Sequence, residues 1–566
     1  MTFKKHLNIE NLIVGISILI IGIGAGSASF LLHESADLLS DLLNTNESFN
    51  LTTLGFSVAV LFLGLFLTKK IFKDTGGSGI PHVKLSLTAF NGKMAKRMPA
   101  GKFITSLLTL VSGFSLGKEG PLVTISAAIG NLTAYSFKLN RRLTKLLVTS
   151  GASAGLAGAF NTPIAAVVFT VEEIWGQLNS KYIPPIMLTA VISSLTSSAL
   201  LDGKTTFETL NYKFILDWHV VNYILLGLFM SIVGHLFINT ILTFEKIENR
   251  FFQNKSYLYL FIAVLLTAAF SQITPEVLGD GTKTINFLLQ GSEGKELSYY
   301  VMLGLMKIIL IAYAYSTGVS GGLFMPVLFM GAIGGSVYGS LLSYIYDSPI
   351  EIGVFALMGM TSLLVAVIKT PFTAFILLFE MTRDYELILP LMLSSTSAYL
   401  ISSMFDSKSV YESVADSEGV HLPTASDNEG LDEFCVRECM VREITSLDFE
   451  SKIKEVKPIL ELKNHQSYPV LKNGNLEGVV YRNSILSSGN DEDTSISDLI
   501  RYRPISIYPD QNLLVALDKM KRFDLGSLPV VSRFNDKIIL GIITAGDIIG
   551  YFSRKKIEST EPTANP

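Results

Sequence analysis

The sequence predicts an all-α, polytopic membrane domain made of two structural repeats, inverted relative to one another, followed by a small soluble α/β pair. Three observations carry that expectation. Of 566 residues, 49% are hydrophobic and the mean hydropathy is +0.43, which is too apolar for one soluble domain and too long for one core. A glycine-rich motif occurs twice, as Ser115-Leu116-Gly117-Lys118-Glu119-Gly120-Pro121 and as Ser320-Gly321-Gly322-Leu323-Phe324-Met325-Pro326. Downstream of each lies a second matched block, Gly151 to Glu172 and Gly359 to Glu380, with Gly, Pro and Glu at identical spacing. Matched Gly/Pro-interrupted blocks in one order are the design in which transporters place a substrate site at the repeat interface near the midplane.

In chain order, Lys4 and Lys5 precede an apolar run from Leu12 to Leu31. Its length, and the apolar segments that follow, argue against a cleaved signal peptide. The second run, Leu54 to Leu67, leads into Lys69, Lys70 and Lys73, so positive residues put both chain ends of this pair on the cytoplasmic side. Later segments vary in length, with short pieces at Phe103 to Leu110 and Leu122 to Ile129 and longer ones at Tyr223 to Phe244 and Leu387 to Met404. Pieces under about 17 residues cannot cross the hydrocarbon. Their free backbone groups must then line a cavity or be buried in protein.

Residues 1–415 form the expected transport domain, 416–433 a polar linker, 434–556 a soluble module and 557–566 a disordered tail. The module repeats internally as 434–490 and 496–556: Ser467-Tyr468-Pro469-Val470 leads to Gly478-Val479-Val480, and Ser527-Leu528-Pro529-Val530 to Gly541-Ile542-Ile543, with acidic Asp491-Glu492-Asp493 between them. A net charge of −4 gives no case for nucleic acid, and two cysteines, Cys435 and Cys439, cannot hold zinc unaided.

A Lys-Glu pair between glycines in an apolar stretch is costly, and such intramembrane charges are functional candidates. Pro81, Pro121, Pro326 and Pro371 each sit where a helix can begin, and such starts aim unpaired N–H groups at one point. For an ion that must leave as well as enter, these partial charges suit better than a buried Arg. Glu119 beside such a site would compete with the anion and let go when protonated. Glu172 recurs as Glu380 and fits helix-end satisfaction in both halves, whereas Glu173 corresponds to Met381. Adjacent helical positions point about 100° apart, so Glu172 and Glu173 can serve different tasks. Gly113-Phe114-Ser115-Leu116-Gly117 matches a nucleophile elbow, the signature of a rival hydrolase, but the elbow needs a partnered His and acid, and nothing fixes His235, alone deep in an apolar run, near Ser115.

Gly77-Ser78-Gly79-Ile80-Pro81, Gly117-Lys118-Glu119-Gly120-Pro121 and Gly322-Leu323-Phe324-Met325-Pro326, with an isolated Tyr411, resemble the signatures of the CLC family of chloride channels and chloride/proton exchangers. The resemblance implies chloride bound by the hydroxyls of Ser78 and Tyr411 and the amides of Leu323 and Phe324. It implies Glu119 as gate and outer proton acceptor and Glu173 at the inner proton-transfer position, which favours a chloride/proton antiporter over a passive voltage- or pH-gated channel. Nitrate accumulators of the family resemble this site with proline at the serine, and fluoride exporters lack it. His82 stands where many relatives carry Glu, and Lys118 replaces a common Arg. The soluble module is similar to a tandem CBS pair, with Thr544 and Asp547 where phosphate and ribose are bonded and Tyr481 and Ser484 at those places in the first copy. Two alternatives stay open for it, an adenine nucleotide site or dimer stabilisation alone. The implied partners are chloride, protons and the lipid bilayer, with a homodimer, no required cofactor and no enzymatic activity. The implied location is the cell (inner) membrane, with both termini cytoplasmic.

Overall fold

The computed structural model describes residues 9–560 apart from 44, 46–47, 89, 91, 176–181, 202–206, 208–219, 291–295, 347–350, 418–433, 464, 488–492, 501–503 and 524. Lys4 and Lys5, the linker from residue 418, the acidic pair Asp491-Glu492 and the tail from 561 lie outside the described residues. The chain divides into two units, Met1–Pro423 and Thr424–Pro566.

The first unit is helical. One series comprises α1 (Ile9–Leu42), α2 (Leu51–Phe66), α3 (Ile80–Thr88), α4 (Met98–Val111), α5 (Glu119–Ser136), α6 (Arg141–Phe160), α7 (Pro163–Phe169) and α8 (Ile183–Leu200). A second series also has eight helices: α9 (Val220–Ile247), α10 (Ser256–Ser271), α11 (Thr282–Leu289), α12 (Leu297–Ser316), α13 (Phe324–Tyr346), α14 (Ile352–Ile368), α15 (Pro371–Thr382) and α16 (Ile388–Phe405), followed by α17 (Val410–Ser417). Among the described residues, seven helical segments are long and apolar enough to cross a membrane. The 14 residues of α4 and the 12 of α15 are too short to do so, so their ends fall inside the protein.

Corresponding positions behave alike. After α6 and α14 the chain turns through left-handed Asn161 and Lys369, and Thr-Pro then opens α7 and α15. Proline at a first helical position loses only an N–H that has no intrahelical partner anyway. The other free donors are met across the two series. Glu172 accepts from the N–H groups of Phe372 at 3.2 Å and Thr373 at 2.8 Å, while Glu380 accepts from those of Ile164 at 3.1 Å and Ala165 at 2.9 Å. Each carboxylate thus closes the other's helix start, the helix-end role expected for this pair. It also removes Pro371 from the set of helix starts available to an anion.

The piece expected as a short segment at Leu122 to Ile129 is an 18-residue helix. Pro121 is its third residue rather than its first, as Pro326 is in α13, so Glu119 is itself the first residue of α5.

In the second unit β1 (Leu447–Asp448) runs parallel to β2 (Ser467–Lys472), which pairs antiparallel with β3 (Asn475–Tyr481); β4 (Ser527–Ser532) pairs antiparallel with β5 (Asn535–Thr544). Both hairpins shift register at the same point, after Val470 and after Val530, and Ser467 and Ser527 touch through their hydroxyls. Each copy buries its own apolar set, Leu447, Tyr468 and Val480 in one, Ile507, Leu528 and Ile543 in the other. The last helix, Ala545–Thr560, runs four residues into the stretch expected as tail. Burial, with the charges of Asp547 and Glu438, pushes the Cys439 thiol up to about 11, so it stays a protonated thiol at neutral pH.

Candidate functional site

Three loops that lie far apart in the chain are stitched together by main-chain hydrogen bonds. Gly77 donates to the Val319 carbonyl at 3.0 Å and accepts from the Gly321 N–H at 3.1 Å. Gly117 and Gly322 exchange N–H···O bonds of 2.8 and 2.7 Å as an antiparallel bridge. Ser78 is held between Gly77 at φ +61° and Gly79 at φ +91°, a backbone that side-chain-bearing residues adopt only under strain. The Cα of Gly120 packs so closely on this loop that a Cβ there would lie 2.5 Å from the Ser78 hydroxyl and 3.3 Å from Gly322 Cα.

The starts of α5 and α13 therefore meet beside Ser78. Leu323 and Phe324 are fully buried at the beginning of α13, where the first N–H groups have no partner within the helix. The Phe324 ring rests against Phe160 and Phe169. Glu119 is 1% exposed, and its carboxylate folds back over Gly117, where the N–H groups of Glu119 itself and Met325 act on it. Tyr411, buried on α17, is in electrostatic range of Ser78, Glu119 and Glu173. Ser78 Oγ, Tyr411 OH and Glu119 Oε2 are buried without a hydrogen-bond partner in the protein. Buried polar atoms of that kind mark a ligand position or a strained site.

Beneath Ser78 opens a cavity of about 360 Å³ lined by Asp74, Ser78, His82, Glu245, Tyr315 and others. His82, the departure noted in the sequence, is part of its wall. On the far side of Glu119, Lys118 contacts His33 Nδ1, and His33 Nε2 is 3.3 Å from Asp37.

Glu173 lies in the π turn Thr170–Trp175 that continues α7. Its carboxylate is buried and 3.4 Å from Lys84 Nζ, which is 2.7 Å from Glu412 on α17. Sequence reasoning missed Lys84 and Glu412, although Lys84, three residues after Pro81, is a charge in an apolar helix and Glu412 adjoins Tyr411.

Two further lysines were missed. Lys102 donates to the carbonyls of Thr75, Gly76 and Gly77, and Lys307 to those of Val277, Leu278 and Gly279. Both are fully buried, and each stands 15 residues before a motif glycine, Gly117 or Gly322. The loops they hold share a backbone, with Gly279 and Gly281 at φ +61° and +87°. Asp280 takes the place of Ser78 there and accepts from Thr282 N–H and Oγ1.

The nucleophile elbow holds no catalytic pair. Ser115 Oγ donates to the Val277 carbonyl at 2.5 Å, and His235 is paired with Asn239 on α9. In the second unit, Thr544 and Asp547 bond one another: the Thr544 N–H and hydroxyl donate to Asp547 Oδ2 at 2.9 and 2.7 Å, closing the start of the last helix.

A family profile described as voltage gated chloride channel matches residues 58–403, and the CBS domain profile matches 436–490 and 496–554. The chain is 29% identical over 362 residues to the H(+)/Cl(−) exchange transporter ClcA of Vibrio campbellii, covering 63% of this chain and 77% of that protein. Among solved structures it resembles a slow cyanobacterial Cl−/H+ antiporter, with TM-score 0.66, 22% identity and coverage of 71% of this chain and 97% of that one. It also resembles a eukaryotic CLC transporter, with TM-score 0.64, 20% identity and coverage of 95% and 98%.

Proposed function

Because this chain belongs to the CLC family of chloride channels and transporters, we propose that it exchanges chloride for protons, with Glu119 as a gate that alternates with the anion. The family is one of transporters, not enzymes. The observation that carries the reading is the meeting of one buried carboxylate with Ser78 and the start of α13. The hydroxyls of Ser78 and Tyr411 and the N–H groups of Leu323 and Phe324 would hold chloride by partial charges, strongly enough to admit it and weakly enough to release it. The Glu119 carboxylate seeks the same donors. Protonation removes its charge and frees the position, so proton and chloride occupancy are linked.

Glu173 is the inner proton acceptor in this reading, and the relative described as an exchange transporter favours coupling. The alternative is a passive chloride channel. It draws on the contact between Lys84 and Glu173, since a cation beside a carboxylate favours its charged form. A liposome assay separates the two: an exchanger lets a chloride gradient drive protons uphill, and a channel does not.

The two helix series are read as inverted repeats. Equivalent residues Gly117 and Gly322 pair antiparallel, and Glu172 and Glu380 serve each other's helix, the reciprocity a twofold axis produces. We further propose a homodimer in the cell (inner) membrane, with both termini, the 416–433 linker and the CBS modules 434–490 and 496–556 on the cytoplasmic side. Thr544 and Asp547 are the proposed contacts to an adenine nucleotide in the second module.

A further inference from the structure

Lys84 reaches two carboxylates from one ammonium group. Its Nζ is 3.4 Å from Glu173 and 2.7 Å from Glu412, and the three side chains are only 7%, 6% and 13% exposed. One positive and two negative charges leave an excess negative charge in a poorly hydrated site, where uncompensated charge is costly. A proton is the cheapest remedy. It can join either carboxylate, and the unequal distances decide which one: the lysine is committed to Glu412, so Glu173 is the carboxylate left with less compensation.

The placement ties this triad to the anion path. Lys84 is on α3, the helix that opens directly after Ser78, and Glu412 follows Tyr411 on α17. The charged and titratable groups facing Glu173 are Lys84 from α3, Glu412 and Tyr411 from α17, and Glu172 from its own turn. Glu172 is engaged by the amides of Phe372 and Thr373. Among the described residues, the Lys84–Glu412 pair is therefore the one placed to change how much positive charge Glu173 feels.

We propose that Lys84 and Glu412 are positioning residues for proton transfer: Glu412 draws the Lys84 ammonium closer to itself than to Glu173, and so keeps Glu173 able to bind and release a proton in each cycle. This rests on the reading of Glu173 as inner proton acceptor. In the step itself a proton from the inner water joins the Glu173 carboxylate, Lys84 stays an ammonium on Glu412, and no other bond changes.

The test uses the full chain in liposomes, with chloride flux and proton flux measured together as internal pH is varied. Glu412→Gln releases Lys84 to Glu173, so the proton-to-chloride ratio falls and the internal pH for half-maximal proton flux moves down by about one unit. Lys84→Met removes the cation and moves that midpoint up by about as much. The exchange Lys84→Glu with Glu412→Lys restores one cation between two carboxylates and recovers the ratio. Chloride flux in the same liposomes reports that each variant is assembled. Midpoints that shift in the same direction, or not at all, overturn the proposal, as does loss of chloride flux in both single variants and the exchange. Glu173→Gln with intact coupling instead removes the reading of Glu173 itself.

Discussion

Lys102 and Lys307 occupy the same place in the two helix series, and each buried ammonium donates to three consecutive carbonyls. Only the loop held by Lys102 runs on into Ser78. Lys102→Met and Lys307→Met should each destabilise the membrane unit by about 2–4 kcal/mol, because buried carbonyls lose their donors. Thermal unfolding in detergent should show similar losses for both. Chloride flux at a temperature where both variants remain folded should fall far more for Lys102→Met.

Gly120 faces Ser78 with no room for a side chain. Gly120→Ala forces either the serine loop or the start of α5 to move, an overpacking cost of about 1–3 kcal/mol. Placed on the proposed anion position, that cost should lower chloride flux about tenfold or more. The variant should still assemble, as size-exclusion chromatography would show.

Glu119→Gln keeps the size of the side chain and removes the proton-dependent charge. Chloride should still cross, independently of pH, and a chloride gradient should no longer move protons. Glu173→Gln should slow proton movement more than chloride movement. Paired electrode recordings on liposomes check both, and a Glu119→Gln protein that still pumps protons would end its assignment as gate.

Thr544 and Asp547 already satisfy one another at the start of the last helix. A nucleotide that bonds both must open that pair, so binding should be modest in affinity. Calorimetric titration of the full chain with AMP and ATP should give heat that Asp547→Ala abolishes. An unchanged titration in that variant would move the site elsewhere, and no heat at all would leave the pair of modules as a purely structural one.

Much of the fold could be read from the chain, because hydrophobic runs fix helices and spaced Gly and Pro residues mark where they break. The motif glycines and the Glu172/Glu380 pair stood out by spacing, Glu119 as a charge in an apolar stretch, and Ser78 only through the family resemblance. Helix boundaries did not. Pro121 and Pro326 fall two residues inside their helices because the preceding residues already take helical geometry. The charged helpers were hidden for another reason. Lys84 and Glu412 are 328 residues apart, and a pairing of that range leaves no periodic trace in one sequence. Lys102 and Lys307 did leave one, a shared distance of 15 residues to a motif glycine.

Glu380 accepts from the N–H of Ile164, 216 residues before it, at the start of α7. While the chain is being made, the start of α7 therefore has no such acceptor until residue 380 has been added. Glu172 waits for its own target over a similar stretch. Each helix start lacks its carboxylate until the other series is present, and a chain cut short before α15 would leave the amides of Ile164 and Ala165 without theirs.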